Sequence, residues 1–236
     1  MKYKTLLTHA FFIVIILTLA SCTDSLIGDE GKLDEDIYFN YQTITSLELP
    51  FEEDEWYIFN GGKTHFEGAH HFTTRGGGER YTYDIVIVID RRVSIGDGSK
   101  NEDHYCFGKR LNAPGDGKII EIENNIEDNE PGSLNRNQPG GNYIIIDHLN
   151  GETSILAHLK KESIVVSVGD TVLKGQEIGK TGNSGYSDFA HLHYQLQGSS
   201  GLYNGLGLPA QFLNYYENNE FVKRGEPVRT QKVRKN

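Results

Sequence analysis

Apolar residues in this chain come in short runs closed by glycine, asparagine or proline, and no stretch sustains the helical period of about 3.6 residues. That pattern restricts the fold more than any other feature. Trp56-Tyr57-Ile58-Phe59 stops at Asn60-Gly61-Gly62. Asp84-Ile85-Val86-Ile87-Val88-Ile89-Asp90 is apolar on nearly every residue after Asp84, which predicts a strand buried on both faces. Gly117 to Ile122 follows a turn. The runs 142–148 and 153–159 flank Leu149-Asn150-Gly151-Glu152, and the Asn-Gly pair marks a hairpin. Short strands follow around Val165–Val168 and Val172–Gly179. Pro209-Ala210-Gln211-Phe212-Leu213 predicts one helical turn opened by proline. Twenty-seven glycines supply the turns, and 13 Tyr and 11 Phe favour pleated structure. The expected fold class is mostly β.

The ends read differently from the middle. Lys2 and Lys4 precede an apolar run from Phe11 to Leu19, too short for a comfortable membrane span. The run ends at Leu19-Ala20-Ser21-Cys22, which resembles the lipobox of bacterial lipoproteins. That resemblance implies a signal peptide over 1–21, cleavage before Cys22, and a lipid anchor on Cys22 that ties the protein to a membrane of the bacterial cell envelope, on its periplasmic or surface face. Residues 22–45 are polar and acidic and read as a tether. A domain is expected over 46–222, followed by a basic C-terminal tail over 223–236. Removing residues 1–21 takes two lysines and no acid, moving the formal net charge from −10 to −12. Such a chain does not grip nucleic acid by counterion release. With Cys22 acylated, Cys106 has no partner for an intramolecular disulfide.

The chemistry gathers at Ala190-His191-Leu192-His193-Tyr194-Gln195-Leu196. In extended chain residues i and i+2 share a face, so both imidazoles point the same way. Two converging imidazoles suit a zinc ion, or a metal ligand beside a base. Gly182-Asn183-Ser184-Gly185 is a turn leading into that strand. Asp84 opens an apolar run, where an unpaired carboxylate is costly, so it needs a cation or dense hydrogen bonding. The polar loop over 124–141 is long enough to suggest function.

Asp84, Ala113-Pro114-Gly115-Asp116-Gly117, Leu156-Ala157-His158-Leu159, Val168 through Gly179, and Gly182 through His193 fall in one order. Together they resemble the M23 family of zinc metallopeptidases, the LytM/lysostaphin-like peptidoglycan endopeptidases. The resemblance spans roughly residues 56–200 and rests on order and spacing. It implies an antiparallel β-sheet groove of the duplicated hybrid motif type, with one Zn2+ at its floor. It also implies peptide bonds of peptidoglycan cross-links or stem peptides as substrate. Asp84 and His193 then ligate metal. His191 is the general base or acid, and His158 stabilises the developing oxyanion or orients water. The family usually places a histidine four residues before the aspartate. Here that position is Arg80, which has no lone pair to offer. His71 is the expected replacement ligand, with His70 its rival and His65 weaker. His104 and His148 are expected to be surface or hydrogen-bonded histidines.

Two other readings compete. Arg80 supports a catalytically inactive LytM-like module that binds and regulates an envelope hydrolase. Gly169-Asp170-Thr171-Val172 with Lys174-Gly175-Gln176 resembles biotinyl or lipoyl carrier hairpins, although carriers are much shorter and lack the histidines.

Overall fold

Period-two patterning and frequent turns leave the chain one way to bury its apolar residues, which is to pair strands. A computed structural model describes residues 40–62, 81–198, 201–202 and 205–236. In chain order the strands are β1 (Trp56–Gly61), β2 (Tyr83–Val86), β3 (Arg110–Asn112), β4 (Gly117–Glu123), β5 (Asn142–Asp147), β6 (Thr153–Leu159) and β7 (Thr171–Val172). They continue with β8 (Glu177–Lys180), β9 (Leu192–Gln197), β10 (Gly207–Leu208), β11 (Phe212–Glu217), β12 (Glu220–Gly225) and β13 (Lys232–Lys235). A single 3-10 turn, Asn101–Asp103, is the helical element among the described residues. The large sheet runs β12-β11-β13-β1-β2-β9-β6-β5-β4-β7, with β10 paired to β9, and β3 and β8 form a separate pair. Every strand pair is antiparallel, as a mostly β chain with short connections requires.

β6 and β9 are buried along their whole length and lie side by side. Tyr83, Ile85, Leu156, Leu192, Tyr194 and Leu196 turn one face of this region into the main core, with Trp56, Ile58, Phe212, Tyr215 and Val233. Phe51 stacks on Trp56 with ring centroids 4.6 Å apart, closing one flank of that core. The alternate residues face the other way, where Ile145, Ile155 and Ala157 make a small second cluster. Across this second face the register aligns Asp84 with His193 and His193 with Ala157.

The hairpin is where the sequence places it. β5 and β6 pair from Asp147↔Thr153 to Asn142↔Leu159, around the Asn-Gly turn. Five expectations change. No strand forms around Val165–Val168, where Val165 and Val168 are exposed. The strand that opens at Asp84 ends at Val86 rather than running to Asp90. Ile89 is 49% exposed and makes only an isolated bridge to Arg92. Pro209–Gln211 forms no helical turn. The segment leads in extended chain into β11, with Ala210 and Phe212 buried in the core.

The basic segment 223–236, read as a solvated tail, contributes the end of β12 and all of β13. Val233 is fully buried between β1 and β11. Two of its lysines find acids, the half-exposed Lys232 at 2.7 Å from Glu55 and the largely covered Lys235 at 3.1 Å from Glu48. The tether reading also ends too late, because packed chain begins at Tyr41. The Glu152 carboxylate accepts hydrogen bonds from the Tyr41 hydroxyl at 2.7 Å, the Ile44 and Thr45 amides at 2.7 Å, and the Thr45 hydroxyl. Burial pushes the Glu152 carboxyl upward, but these donors outweigh it and leave the group below its ordinary value.

Candidate metal centre

The antiparallel register brings Asp84 on β2 and His193 on β9 together from positions far apart in sequence. Their side chains meet on the face opposite the main core, His193 Nδ1 lying 3.0 Å from Asp84 Oδ1. His191 sits just before β9 and shares the parity of His193. Its Nε2 is 3.5 Å from the same carboxylate oxygen. Asp84 is 26% exposed while the two imidazoles are 10% and 11% exposed, so the cluster opens to solvent through the carboxylate.

His158 reaches this face by a backbone device. Leu156 points into the main core and Ala157 to the second face, so a regular strand would send His158 into the core. Instead His158 has φ 61, the left-handed region, which breaks the alternation. Its amide donates to Gly140 O at 3.2 Å and its carbonyl accepts from the Gly182 amide at 3.1 Å, holding the distortion from both sides. The ring then stands 4.9 Å from the His191 ring and 5.4 Å from the His193 ring, centroid to centroid. One nitrogen from each of His158, His191 and His193 lies within 4.8 Å of the others.

Backbone carbonyls orient two of these rings. His158 Nδ1 is 2.9 Å from Ser184 O, and His191 Nδ1 is 2.9 Å from Phe189 O, with Ser187 Oγ at 3.2 Å. A carbonyl can only accept, so each Nδ1 carries the hydrogen; His158 Nε2 is left with its lone pair toward the cluster, and His191 Nε2 faces Asp84 Oδ1. Ser187 is itself held by Asn183 Oδ1 at 2.8 Å, and Asn183 Nδ2 donates to Asn101 Oδ1 at 2.9 Å. The Gly182–Gly185 turn is thus a frame as well as a linker. Gly185 has φ +82, and a Cβ there would sit 2.3 Å from the Gly141 amide nitrogen, so the turn needs glycine to lie against residues 139–141.

The electrostatics follow from this crowding. Burial pushes the Asp84 carboxyl upward, but its hydrogen bonds to His191 and His193 outweigh that and hold it well below the carboxylate range. Burial drives His158 well below the ordinary imidazole value, and its two neighbouring imidazoles push the same way. Burial also depresses His191, but the Asp84 hydrogen bond and charge reverse the sign, and the net shift is upward. An ionised carboxylate beside three converging imidazoles, two of them steered from behind by carbonyls, is a donor set that fits a divalent metal ion.

Of the residues expected at the site, Asp84, His158, His191 and His193 are brought together. His71, its rival His70, His65, Arg80 and the anchor Cys22 lie outside the described residues. His104 and His148 prove buried and hydrogen-bonded. His148 bridges Asp116 O and Ser154 Oγ at 2.7 Å each, and His104 stacks on Phe189 at 6.1 Å. Sequence reasoning did not find Ser187, Gly140 or the steering carbonyls. The Gly182–Gly185 turn signal marked the segment but not which of its atoms would face inward.

Comparison with known proteins now adds to the geometry. Residues 104–204 match the model of peptidase family M23. Over that span, which is under half of the chain, it is similar to M23 peptidases. The matched span contains His158, His191 and His193, and Asp84 joins them through the pairing of β2 with β9. An uncharacterized metalloprotease of Buchnera aphidicola is 38% identical over 163 residues, 65% of this chain and 40% of the relative. The peptidoglycan DD-endopeptidase ShyA of Vibrio cholerae is 42% identical over 64 residues, 27% of this chain and 14% of the relative. The chain therefore matches less than half the length of either curated relative. Among solved structures, a zinc containing peptidase from Vibrio cholerae resembles it at 21% identity with a TM-score of 0.42. That likeness covers 64% of this chain and 36% of the other.

Proposed function

We propose that the M23-like domain is a zinc-dependent endopeptidase that cuts peptide bonds of peptidoglycan cross-links or stem peptides in the bacterial cell envelope. The observation that carries this reading is the convergence of Asp84, His158, His191 and His193 on one solvent-reaching spot, three of them within the family match. The similarity to a relative named as a peptidoglycan DD-endopeptidase supports the substrate class. Asp84 Oδ1 and His193 Nδ1 would hold the metal, with His71 as the third ligand.

Zinc, when held there, supplies Lewis acidity and lowers the pKa of water toward about 7. The protein's own residues do the rest. His191, with its Nδ1 hydrogen committed to Phe189 O, takes a proton from the attacking water at Nε2 and returns it to the leaving amine. His158 is neutral, with its hydrogen committed to Ser184 O, so its Nε2 accepts. That state suits orienting a water hydrogen and does not suit donating to an oxyanion. A lipid on Cys22 would tether the domain to the envelope, a reading that rests on Leu19-Ala20-Ser21-Cys22 and is tested by palmitate incorporation.

The deciding experiment is metal analysis of the purified protein together with digestion of isolated sacculi and mass identification of the fragments. Stoichiometric zinc with newly freed peptide ends is the expected result. Zinc-free protein that releases no fragments would leave the regulatory-module reading standing instead. His71→Ala is expected to abolish zinc binding, whereas His70→Ala and Arg80→Ala retain it.

A further inference from the structure

The long polar loop over 124–141 runs beside the turn that frames the site. Asn129 N bonds Asn183 O at 2.8 Å, Gly132 N bonds Asp188 O at 2.7 Å, Asn135 N bonds Gly185 O at 2.8 Å and Tyr186 N bonds Pro139 O at 2.9 Å. Both segments also touch His158, through Gly140 O and Ser184 O. Together they build one wall of the site, and its outer surface carries an exposed pair. Arg136 Nη1 donates to the Tyr186 hydroxyl at 3.1 Å, and its guanidinium carbon lies 5.0 Å from the Tyr186 ring centroid. Tyr186 is 43% exposed and lies two residues from the carbonyl that steers His158.

Arg234 on β13 also lies over a tyrosine ring, 3.8 Å from the Tyr216 centroid, whereas Arg136 stands on the wall beside His158. Lys109, Arg110, Lys161, Lys174, Lys232 and Lys235 each pair with an acid. Among the described residues no carboxylate pairs with Arg136, although Glu130 and Asp188 are close in sequence or across the wall. A neutral phenol holds it instead. One N–H goes to Tyr186 and the rest of the planar fork stays available, the geometry that takes a carboxylate with two parallel hydrogen bonds. The hydroxyl and the ring face fix the side chain in advance, so less conformational freedom is lost on binding.

We propose that Arg136, positioned by Tyr186, is a specificity-determining residue that binds a free carboxylate on the peptide substrate as it passes over the wall beside His158. The assignment rests on the endopeptidase reading for its substrate class and names what that substrate must carry, an ionised carboxyl group a short distance from the scissile bond. Arg136 does not touch the reacting atoms, so it contributes binding and leaves the chemical step alone.

The test uses the full-length protein and two probes, a cross-linked stem-peptide dimer with free side carboxylates and the same dimer with those carboxylates amidated. Affinity is measured by calorimetry and turnover by release of the new amine. Wild type is expected to prefer the free acid by roughly tenfold in affinity and KM, the scale of one charge-assisted pair at a partly wet site. Arg136→Ala should erase that preference, with kcat and turnover of the amidated dimer unchanged. Tyr186→Phe should reduce the preference, and Arg136→Lys should recover part of it. Equal binding of both dimers by wild type, or an unchanged preference in Arg136→Ala, would overturn the assignment while leaving any observed hydrolysis intact. If neither dimer is cleaved but the preference is present and lost in Arg136→Ala, the carboxylate site stands and the endopeptidase reading falls.

Discussion

His158 sets a stability measurement whose sign depends on its backbone. Take two variants, His158→Ala and His158→Gly. Both remove the same buried imidazole, its bond to Ser184 O and its ring contacts, so those losses cancel in the comparison. What remains is one Cβ at φ 61. A residue with a Cβ pays roughly 1–2 kcal/mol in the left-handed region. Glycine avoids that cost but gives up about 0.5–1 kcal/mol of extra unfolded-chain entropy relative to alanine. The net expectation is that His158→Gly is more stable than His158→Ala by about 1 kcal/mol, or about 2–4 °C in a domain of this size. An ordinary strand position should show the reverse. Ala157→Gly, one residue earlier and outside the left-handed region, should lose about 1–2 kcal/mol, from entropy and from its buried methyl. The assay is urea unfolding at neutral pH in chelator, which removes any contribution from bound metal. If the alanine variant at 158 proves the more stable, the imidazole does not reach the site by a left-handed residue and the account of how β6 ends is wrong. Both variants at 158 should lose turnover equally, because activity follows the ring and stability follows the Cβ.

Other perturbations probe the neighbouring features. His193→Ala is expected to lose metal and turnover together, whereas His191→Ala keeps metal and loses about 10²–10⁴-fold in rate, as for removal of a positioned base; metal content and rate are read on the same samples. Glu152→Gln replaces an acceptor-only carboxylate by an amide facing four donors and should cost about 2–4 kcal/mol. Because the folded Glu152 carboxyl titrates below its ordinary value, its stabilisation is fully present above the unfolded value of about 4.3 and is lost as pH falls through the folded one. The gap between wild type and Glu152→Gln should therefore hold from neutral pH to about pH 5 and close below it. Gly185→Ala would drive a Cβ to 2.3 Å from the Gly141 nitrogen at φ +82, and should lower both stability, by more than about 2 kcal/mol, and turnover, as Ser184 O shifts under His158. The buried Cys106 thiol, pushed up to about 12 chiefly by desolvation and bonded to Ala190 O at 3.1 Å, should resist a thiol reagent until the protein is unfolded.

What could be read from the sequence divides along physical lines. Features encoded by local pattern were legible. The hairpin at Asn150-Gly151 lies where its turn chemistry puts it, and the His-x-His parity puts both imidazoles on one face. Features decided by packing were not. Ile87, Val88 and Ile89 have the composition of a buried strand, yet among the described residues their only pairing is the local Ile89–Arg92 bridge, and the chain turns away. The C-terminal segment has the composition of a solvated tail. One valine seated between β1 and β11 is enough to make it a strand, since Lys232 stays exposed beside Glu55 and the largely covered Lys235 is neutralised by Glu48 and Glu52.

The candidate site shows the same division at the scale of single atoms. Residue type and spacing single out Asp84, His191 and His193, and the resemblance to the M23 family adds His158. Whether a histidine is an acid or a base is decided by what touches its other nitrogen, and here those partners are main-chain carbonyls of Ser184 and Phe189. Every residue carries an identical carbonyl, so residue identity holds no record of which one will be aimed inward. The aim is set by the Gly182–Gly185 turn lying against Gly141, where a Cβ on Gly141 would meet Ser184 O at 2.4 Å and one on Gly185 would meet the Gly141 amide nitrogen at 2.3 Å. A substitution at Gly141 or Gly185 thus acts on proton placement at His158 without touching the ring. In this site the glycines govern the chemistry through the backbone as directly as the histidines do through their side chains.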